Sequence, residues 1–359
     1  MSIVNIGSIC KIIGGSTPST KNNNLWKKEI PFYSLADLLI NVASRYISIE
    51  NNKFIDEPAI LFSSTATIGN VCYVEEKCWF NDQIKAFISK DSNVLNTKYL
   101  YYWFLNNKHI IKSQANKGSV FSSIGIKELV NMKINLPSIE EQNAIISIIE
   151  PIEKSIKTIN LLQTKIGLFI EKTFNFINDN LVNSDLIEFS LKDLLNIKRG
   201  LPITAKDLLN NPGSYPLISA SSKNNGIFGY FNDYMYDGQN ITISMNGNAG
   251  CIFYQIGKFS ANSDVLVLSN SNKNLTNIDY IYYLLKTKEK EIQNLAIGTT
   301  RFRLGNSVIE KFKVLLPNIE IQEKFSKIVE PLLNLSTKAN KIEKNLNECL
   351  LKIVKKLIV

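Results

Sequence analysis

The 359-residue chain is 45% hydrophobic and carries 41 basic against 32 acidic residues, giving a net charge of +9 and a pI near 9.1. That length can bury two or more cores, and the basic excess points to a polyanionic partner, nucleic acid ahead of membrane. With no run of 18 apolar residues, an uncharged start (Met1-Ser2-Ile3-Val4-Asn5), five scattered cysteines and one histidine (His109), no membrane span, signal peptide, disulfide framework or zinc site is expected, and the location should be cytoplasmic.

In chain order, Ile6, Ile9 and Ile12 lead into Gly15 and predict a short strand or helical turn closed by a glycine turn. Residues 16–28 are polar, with Pro18, Lys21, Asn22 and the pair Lys27-Lys28, and read as a loop. Ala59 to Phe62 predicts a buried strand, followed by a turn ending at Gly69. Thr97 to Asn106, with three tyrosines, predicts a helix, and Asn116 to Ser123 a polar loop before a last strand. Then comes Leu136-Pro137-Ser138-Ile139-Glu140-Glu141-Gln142, followed by apolar residues spaced alternately by four and three, broken only by Gln163.

The chain then repeats itself. Leu191, Leu194 and Ile197 lead into Gly200, and Asn240 to Ser244 predicts a strand followed by a turn ending at Gly250. Gly250, Tyr254 and Asn262 match Gly69, Tyr73 and Asn81 at an offset of 181, and a helix is predicted from Asn277 to Lys286. The loop Ile297 to Arg303 precedes Leu316-Pro317-Asn318-Ile319-Glu320-Ile321-Gln322, and 8 of the 16 positions from 136 to 151 recur unchanged at an offset of 180. This is a tandem duplication of a domain and its spacer, too long in period for a solenoid. Its segments are 1–137, 138–182, 183–317 and 318–359, with net charges of +5, −2, +3 and +3.

The spacing in segments 138–182 and 318–359 predicts two helices of roughly 35 to 40 residues, about 55 Å each. Their seam comprises Ile145, Ile149, Ile152, Ile156, Ile159 and Ile166 in the first, and Leu332, Leu335, Ile342, Leu346 and Ile353 in the second, with Ala339 and Cys349 also on the seam. Pro151 and Pro331 should kink each helix or mark its true start. Antiparallel pairing is preferred because it relates the two domains by a pseudo-dyad. Leu161, Leu162, Leu168, Phe169 and Phe176 lie off the seam and leave apolar surface that two helices cannot cover, so a further helical partner is expected.

No catalytic constellation can be assembled. Phosphate-loop, dinucleotide, zincin and nucleophile-elbow motifs are absent. Asp56 with Glu75-Glu76-Lys77 imitates an acidic nuclease site, but the second copy has Ile256-Gly257-Lys258 there. The loops combine hydroxyls, bases and aromatics, which suits phosphate contact and base readout. The candidates are Lys21, Asn22, Lys27, Lys117, Ser119 and Phe121 in the first unit, and Lys223, Asn246, Asn248, Thr300, Arg301 and Arg303 in the second. Arg303 could instead pair with Glu310. A second function class, a coiled-coil scaffold whose basic units bind other proteins, stays open, and the salt dependence of DNA binding separates the two.

Over nearly its whole length the chain resembles the specificity subunits of type I restriction-modification enzymes. The carriers are the phrase Leu136-Pro137-Ser138-Ile139-Glu140-Glu141-Gln142, its second copy with Ile321 in place of Glu141, and the opening Gly14-Gly15-Ser16-Thr17-Pro18. Arg199-Gly200-Leu201-Pro202 departs from that opening, so the two recognition domains should differ in subtype. The resemblance implies an α/β (α+β) architecture of two target-recognition domains alternating with two long helices in an antiparallel coiled coil. It implies no catalysis and no cofactor or metal on this chain. The partners implied are double-stranded DNA with a split recognition site, two methyltransferase subunits carrying S-adenosylmethionine, and restriction subunits using ATP and Mg²⁺; a type IIB-like assembly is a variant of the same reading.

Overall fold

The computed structural model describes residues 2–49, 53–113, 116–117, 122–182, 185–300 and 302–358. They divide into two compact units, Met1–Ile159 with Lys341–Val359, and Asn160–Asn340. Each unit thus combines one recognition region with stretches of both long helices, Ile139–Asp179 and Ile319–Leu357.

In the first unit the strands are Ser2–Asn5 (β1), Cys10–Gly14 (β2), Ile30–Tyr33 (β3), Arg45–Ile47 (β4), Ala59–Ser63 (β5), Val71–Val74 (β6), Trp79–Phe80 (β7), Ile84–Ser89 (β8), Asn116–Lys117 (β9), Ser122–Ser123 (β10) and Lys133–Leu136 (β11). They form an antiparallel four-stranded sheet in the order β2-β8-β5-β6, a three-stranded sheet β4-β3-β7 with β3 and β7 parallel, and the pairs β1-β11 and β9-β10. Strand β5 is buried throughout because both sheet faces are covered, which is why it reads as a continuous apolar run. Its side chains alternate between two cores. Ile60 and Phe62 join Tyr99, Phe104, the long-helix residues Ile146, Ile149 and Val354, and Ile358 just past the second helix, whereas Ala59 and Leu61 face Ile30, Phe32 and Phe80 of the smaller sheet.

The second unit repeats this topology with Leu186–Ser190 (β12), Leu195–Arg199 (β13), Pro212–Ile218 (β14), Ile227–Phe231 (β15), Gln239–Ser244 (β16), Ile252–Ile256 (β17), Ser260–Ala261 (β18), Val265–Asn270 (β19) and Lys313–Pro317 (β20). The sheets are β13-β19-β16-β17, β15-β14-β18 and β12-β20. Ile241, Ile243, Leu266 and Leu268 share one core with Phe174, Phe325 and Val329 of the long helices, and Val265 and Val267 share the other with Ile218 and Phe259.

The repeated heptapeptide has a physical explanation. Gln142 is fully buried; its carbonyl oxygen accepts from Asn96 N at 2.9 Å while its amide nitrogen donates to Val94 O and Pro137 O at 3.0 Å. Gln322 repeats this with Asn277 N, Leu275 O and Pro317 O at 2.9, 3.1 and 2.8 Å. One side chain therefore fastens the start of each long helix to the loop that caps the tyrosine helix, Thr97–Asn106 or Ile278–Thr287. The Glu at position 141 has the lesser role of a capping box with Ser138, and the second copy replaces it with an Asn318 cap on Ile321 N.

The long helices have 41 and 39 residues. Pro151 and Pro331 lie inside them, well after their first residues, so neither marks a helix start. In the second unit the two run antiparallel: Gln163 donates to Asn340 Oδ1 at 2.7 Å and the Phe174 and Phe325 rings meet at 5.3 Å. In the first unit Ile146 and Ile149, near the start of one helix, share a core with Val354 and Ile358 at the end of the other.

Along the first helix Ile149 and Ile166 are buried, and Ile145, Ile152, Ile156 and Ile159 half-buried. The second helix departs from the expected stripe. Leu332, Leu346 and Ile353 are half-buried, but Leu335 and Ile342 are 44% and 52% exposed and Cys349 is exposed as well. The inward stripe runs instead through Val329, Leu333, Ser336, Ala339, Glu343 and Leu350. Ala339 is on it as the spacing predicts, but Ser336 and Glu343 are polar, so at those two places apolar spacing selects Leu335 and Ile342, one step round the helix. Leu161, Leu162, Leu168, Phe169 and Phe176 are 40–70% exposed.

Candidate nucleic-acid interface

The turn after the central strand of each larger sheet is built the same way. Ser63 N donates to Asn70 O at 2.9 Å and Gly69 N to Ser63 O at 3.1 Å; Ser244 N donates to Cys251 O at 3.0 Å and Gly250 N to Ser244 O at 2.8 Å. Both turns need two residues with left-handed backbone, Ala66 (φ 55°) and Gly69 in one, Gly247 (φ 68°) and Gly250 in the other.

The later loop of each unit packs on this turn. In the first, Ile124 N donates to Ser64 O at 2.9 Å and Thr65 bridges Ser123. In the second, Leu304 N donates to Met245 O at 2.8 Å, Gly247 N to Phe302 O at 3.0 Å, and Ile297 and Arg303 close the loop by exchanging hydrogen bonds. A third loop joins the second unit's cluster, where Asn248 Nδ2 donates to Ala220 O at 3.4 Å and Asn262 Nδ2 to Ser219 Oγ at 2.9 Å. Residues distant in sequence thus converge, with Lys223, Asn248, Thr300 and Arg303 all exposed and Ile297 and Phe302 presenting apolar surface.

The candidates do not all share one surface. Asn246 is half-buried and its amide donates to Asp264 Oδ1 at 2.5 Å, so this side chain holds the turn. Among the described residues no ion pair joins Arg303 to Glu310. Lys117 lies on β9, paired with Ser122, whereas Ser119, Phe121 and Arg301 lie outside the described residues. Lys21, Asn22 and Lys27 belong to the loop beside the smaller sheet, where the Asn22 side chain accepts from Asn24 N. Lys27 there lines a concavity with Trp26, Lys28, Arg45 and Tyr46. Sequence reasoning missed Arg45 and Tyr46 because the hairpin register that brings them there, Pro31 to Tyr46 and Phe32 to Arg45, is not announced by a tight turn. The nuclease-like group is a surface ion pair, with Lys77 3.2 Å from Asp56 and 4.4 Å from the Phe54 ring centroid.

A model of the type I restriction modification DNA specificity domain matches residues 1–167 and again 183–348. The chain belongs to the type I specificity-subunit family. Among relatives, the family member is 36% identical over 171 residues to the type I restriction enzyme MpnII specificity subunit of Mycoplasma pneumoniae, a match covering 44% of this chain and 51% of that one. It is 25% identical over 372 residues to the MjaIX specificity subunit of Methanocaldococcus jannaschii, covering 91% and 85% of the two chains. Its fold is that of the crystallised type I restriction-modification S subunit from M. genitalium, with a TM-score of 0.73 at 18% identity over 100% of this chain and 96% of that one. Among the described residues no helix is long and apolar enough to cross a membrane.

Proposed function

We propose that this specificity subunit is non-catalytic and reads a bipartite target in duplex DNA, one half-site per unit, while docking two methyltransferase subunits on the outer faces of its long helices. The observation that carries this reading is the pair of matched turns, each rigidly hydrogen-bonded and overlain by a polar loop, in two units of one topology. Two equivalent readers on one chain suit a split site. In the second unit Lys223 and Arg303 supply cations, Asn248 and Thr300 hydrogen-bonding groups, and Phe302 an apolar contact. In the first, the loop from 116 to 123 has the corresponding part, and Lys21, Asn22 and Lys27 meet DNA from the separate loop beside the smaller sheet. The exposed Leu161, Leu162, Leu168, Phe169 and Phe176 provide apolar surface for a methyltransferase subunit. S-adenosylmethionine resides on that subunit, and ATP and Mg²⁺ on a restriction subunit where one is present.

The test uses the long helices as a ruler. Four residues inserted after Gln163 add one turn, about 6 Å of helix, and at about 3.4 Å per base pair the unspecified gap grows by one to two pairs. Methylome sequencing of cells carrying the variant with its methyltransferase should return both half-sites unchanged with a longer gap. Because the seam of the first helix alternates fours and threes, four residues form a stutter that the pair absorbs by local unwinding, whereas two would rotate it away from its partner. Methylation at the original spacing, or altered half-sites, would refute the reading.

A further inference from the structure

The first unit carries a basic, aromatic concavity beside its smaller sheet that has no counterpart in the turn-and-loop cluster. It encloses about 400 Å³, and Asn23, Trp26, Lys28, Arg45 and Tyr46 are among the residues lining it. It is a built feature. The Trp26 indole N–H donates to Ser19 O at 3.1 Å, its ring packs edge-on to Phe32 at 5.2 Å, and the Arg45 guanidinium lies over it 5.7 Å from the centroid. Ser48 N donates to Leu25 O at 2.9 Å, and the Glu29 carboxylate accepts from Ile49 N at 2.6 Å and Ser48 Oγ at 3.2 Å, bolting the loop to β4. The Ile49 N–H holds the Glu29 carboxyl below the usual range, so this nearby acid stays ionised and engaged with the strand, and among the described residues no acid lines the concavity. Lys28 and Arg45 are exposed and make no ion pair among the described residues.

We infer that the concavity grips the sugar–phosphate backbone of duplex DNA, with Lys28 and Arg45 on phosphates and Trp26 and Tyr46 against the intervening sugar. The inference rests on the reading of the chain as a DNA specificity subunit and adds a second anchoring point to it. Two cations on one rim can each meet a phosphate, and an aromatic held by Phe32 and Arg45 offers an apolar wall at little entropic cost. Contacts of this kind fix register and orientation and carry no base information. The second unit is built otherwise at the matching place. Between β13 and β14 it has the helix Ala205–Asn210 with an acidic capping box, Thr204 and Asp207, so the Trp26 loop is not repeated there.

The experiment measures DNA binding by the full chain assembled with its methyltransferase subunit, as a function of salt, together with the methylated motif. Each phosphate contact contributes about 0.9 to the slope of log K against log salt, so K28Q/R45Q should flatten the slope by about two. Between 50 and 200 mM salt the variant should lose about tenfold less affinity than the parent, and the motif should be unchanged. K28R/R45K should keep the parental slope, which separates loss of charge from loss of fold. A parental slope in K28Q/R45Q would remove the concavity from the DNA surface and leave the specificity-subunit reading standing. A changed motif would make the concavity a base reader and overturn the backbone role. A parent with no salt-dependent binding would overturn the reading beneath the inference.

Discussion

At the second residue of the tyrosine helix the first unit carries Lys98, and at the same place the second carries Asp279. Lys98 reaches Glu150 at 2.9 Å and Glu153 at 3.6 Å on the long helix and lies 5.6 Å from the Tyr73 centroid. Asp279 is almost wholly buried and accepts from the Tyr254 hydroxyl, the Ser326 hydroxyl and Gln239 Nε2. A carboxylate suits a helix N-terminus and a lysine does not, so the first unit needs its two glutamates to offset the dipole, and the second needs only neutral donors. What the two units share is what satisfies backbone: the Asn96 and Asn277 caps, the Gln142 and Gln322 bridges, and the left-handed turn residues. Backbone groups are the same whatever the sequence, so residues serving them survive duplication, whereas side chains that serve other side chains drift in pairs.

The largest effect should fall on the shared part, and equally in both units. Gln142→Leu leaves Asn96 N, Val94 O and Pro137 O without their partner in a buried site, and Gln322→Leu does the same to Asn277 N, Leu275 O and Pro317 O. At about 1 kcal/mol or more per orphaned group, each should cost roughly 3 to 4 kcal/mol. Denaturant titration followed by hydrogen exchange of each tyrosine helix measures it; a large cost in one unit only would break the equivalence.

The unit-specific fastenings should respond unequally. Asp279→Ala strands two hydroxyls, that of Tyr254 in a buried site where burial first and the neighbouring carboxylate second push its pKa well up and keep it a donor, and should cost about 2 to 3 kcal/mol. Lys98→Met should cost less than about 1 kcal/mol and less still at high salt, because Glu150 is half exposed and its pairing with Lys98 is screened. Equal costs would erase the difference between the two fastenings.

Much of this organisation was legible in the sequence because it is periodic. The strands Ala59–Ser63 and Gln239–Ser244, the helix Thr97–Asn106 and the two long helices lie where the apolar patterns put them, and the duplicated phrase marks the junctions. What escaped is set by tertiary partners. Ala339 is buried as the spacing predicts, but Leu335 and Ile342 are exposed while the polar Ser336 and Glu343, which apolar spacing passes over, take the half-buried positions one step round the helix. Asn246 belongs to Asp264, a partner 18 residues away in sequence. Arg45 and Tyr46 reach the Trp26 concavity through a hairpin whose 34–44 connection carries no turn signature.

A small effect of opposite sign in the two units sharpens the comparison at the recognition turns themselves. Ala66 and Gly247 occupy the same left-handed position, and nothing lies within 4 Å of a Cβ added to Gly247, so a methyl there meets strain without a clash. A side chain in that region costs about 1 kcal/mol relative to glycine. Gly247→Ala should therefore destabilise the second unit by about 1 kcal/mol, less a few tenths recovered from the stiffer unfolded chain, and Ala66→Gly should stabilise the first by a similar amount. Thermal melts of the two single variants and the double should show opposite shifts that cancel, since the sites lie in separate units and have no shared partners. If Ala66→Gly instead destabilised, the first turn would be using its methyl for packing, and the turns would be alike in backbone but not in what rests on them.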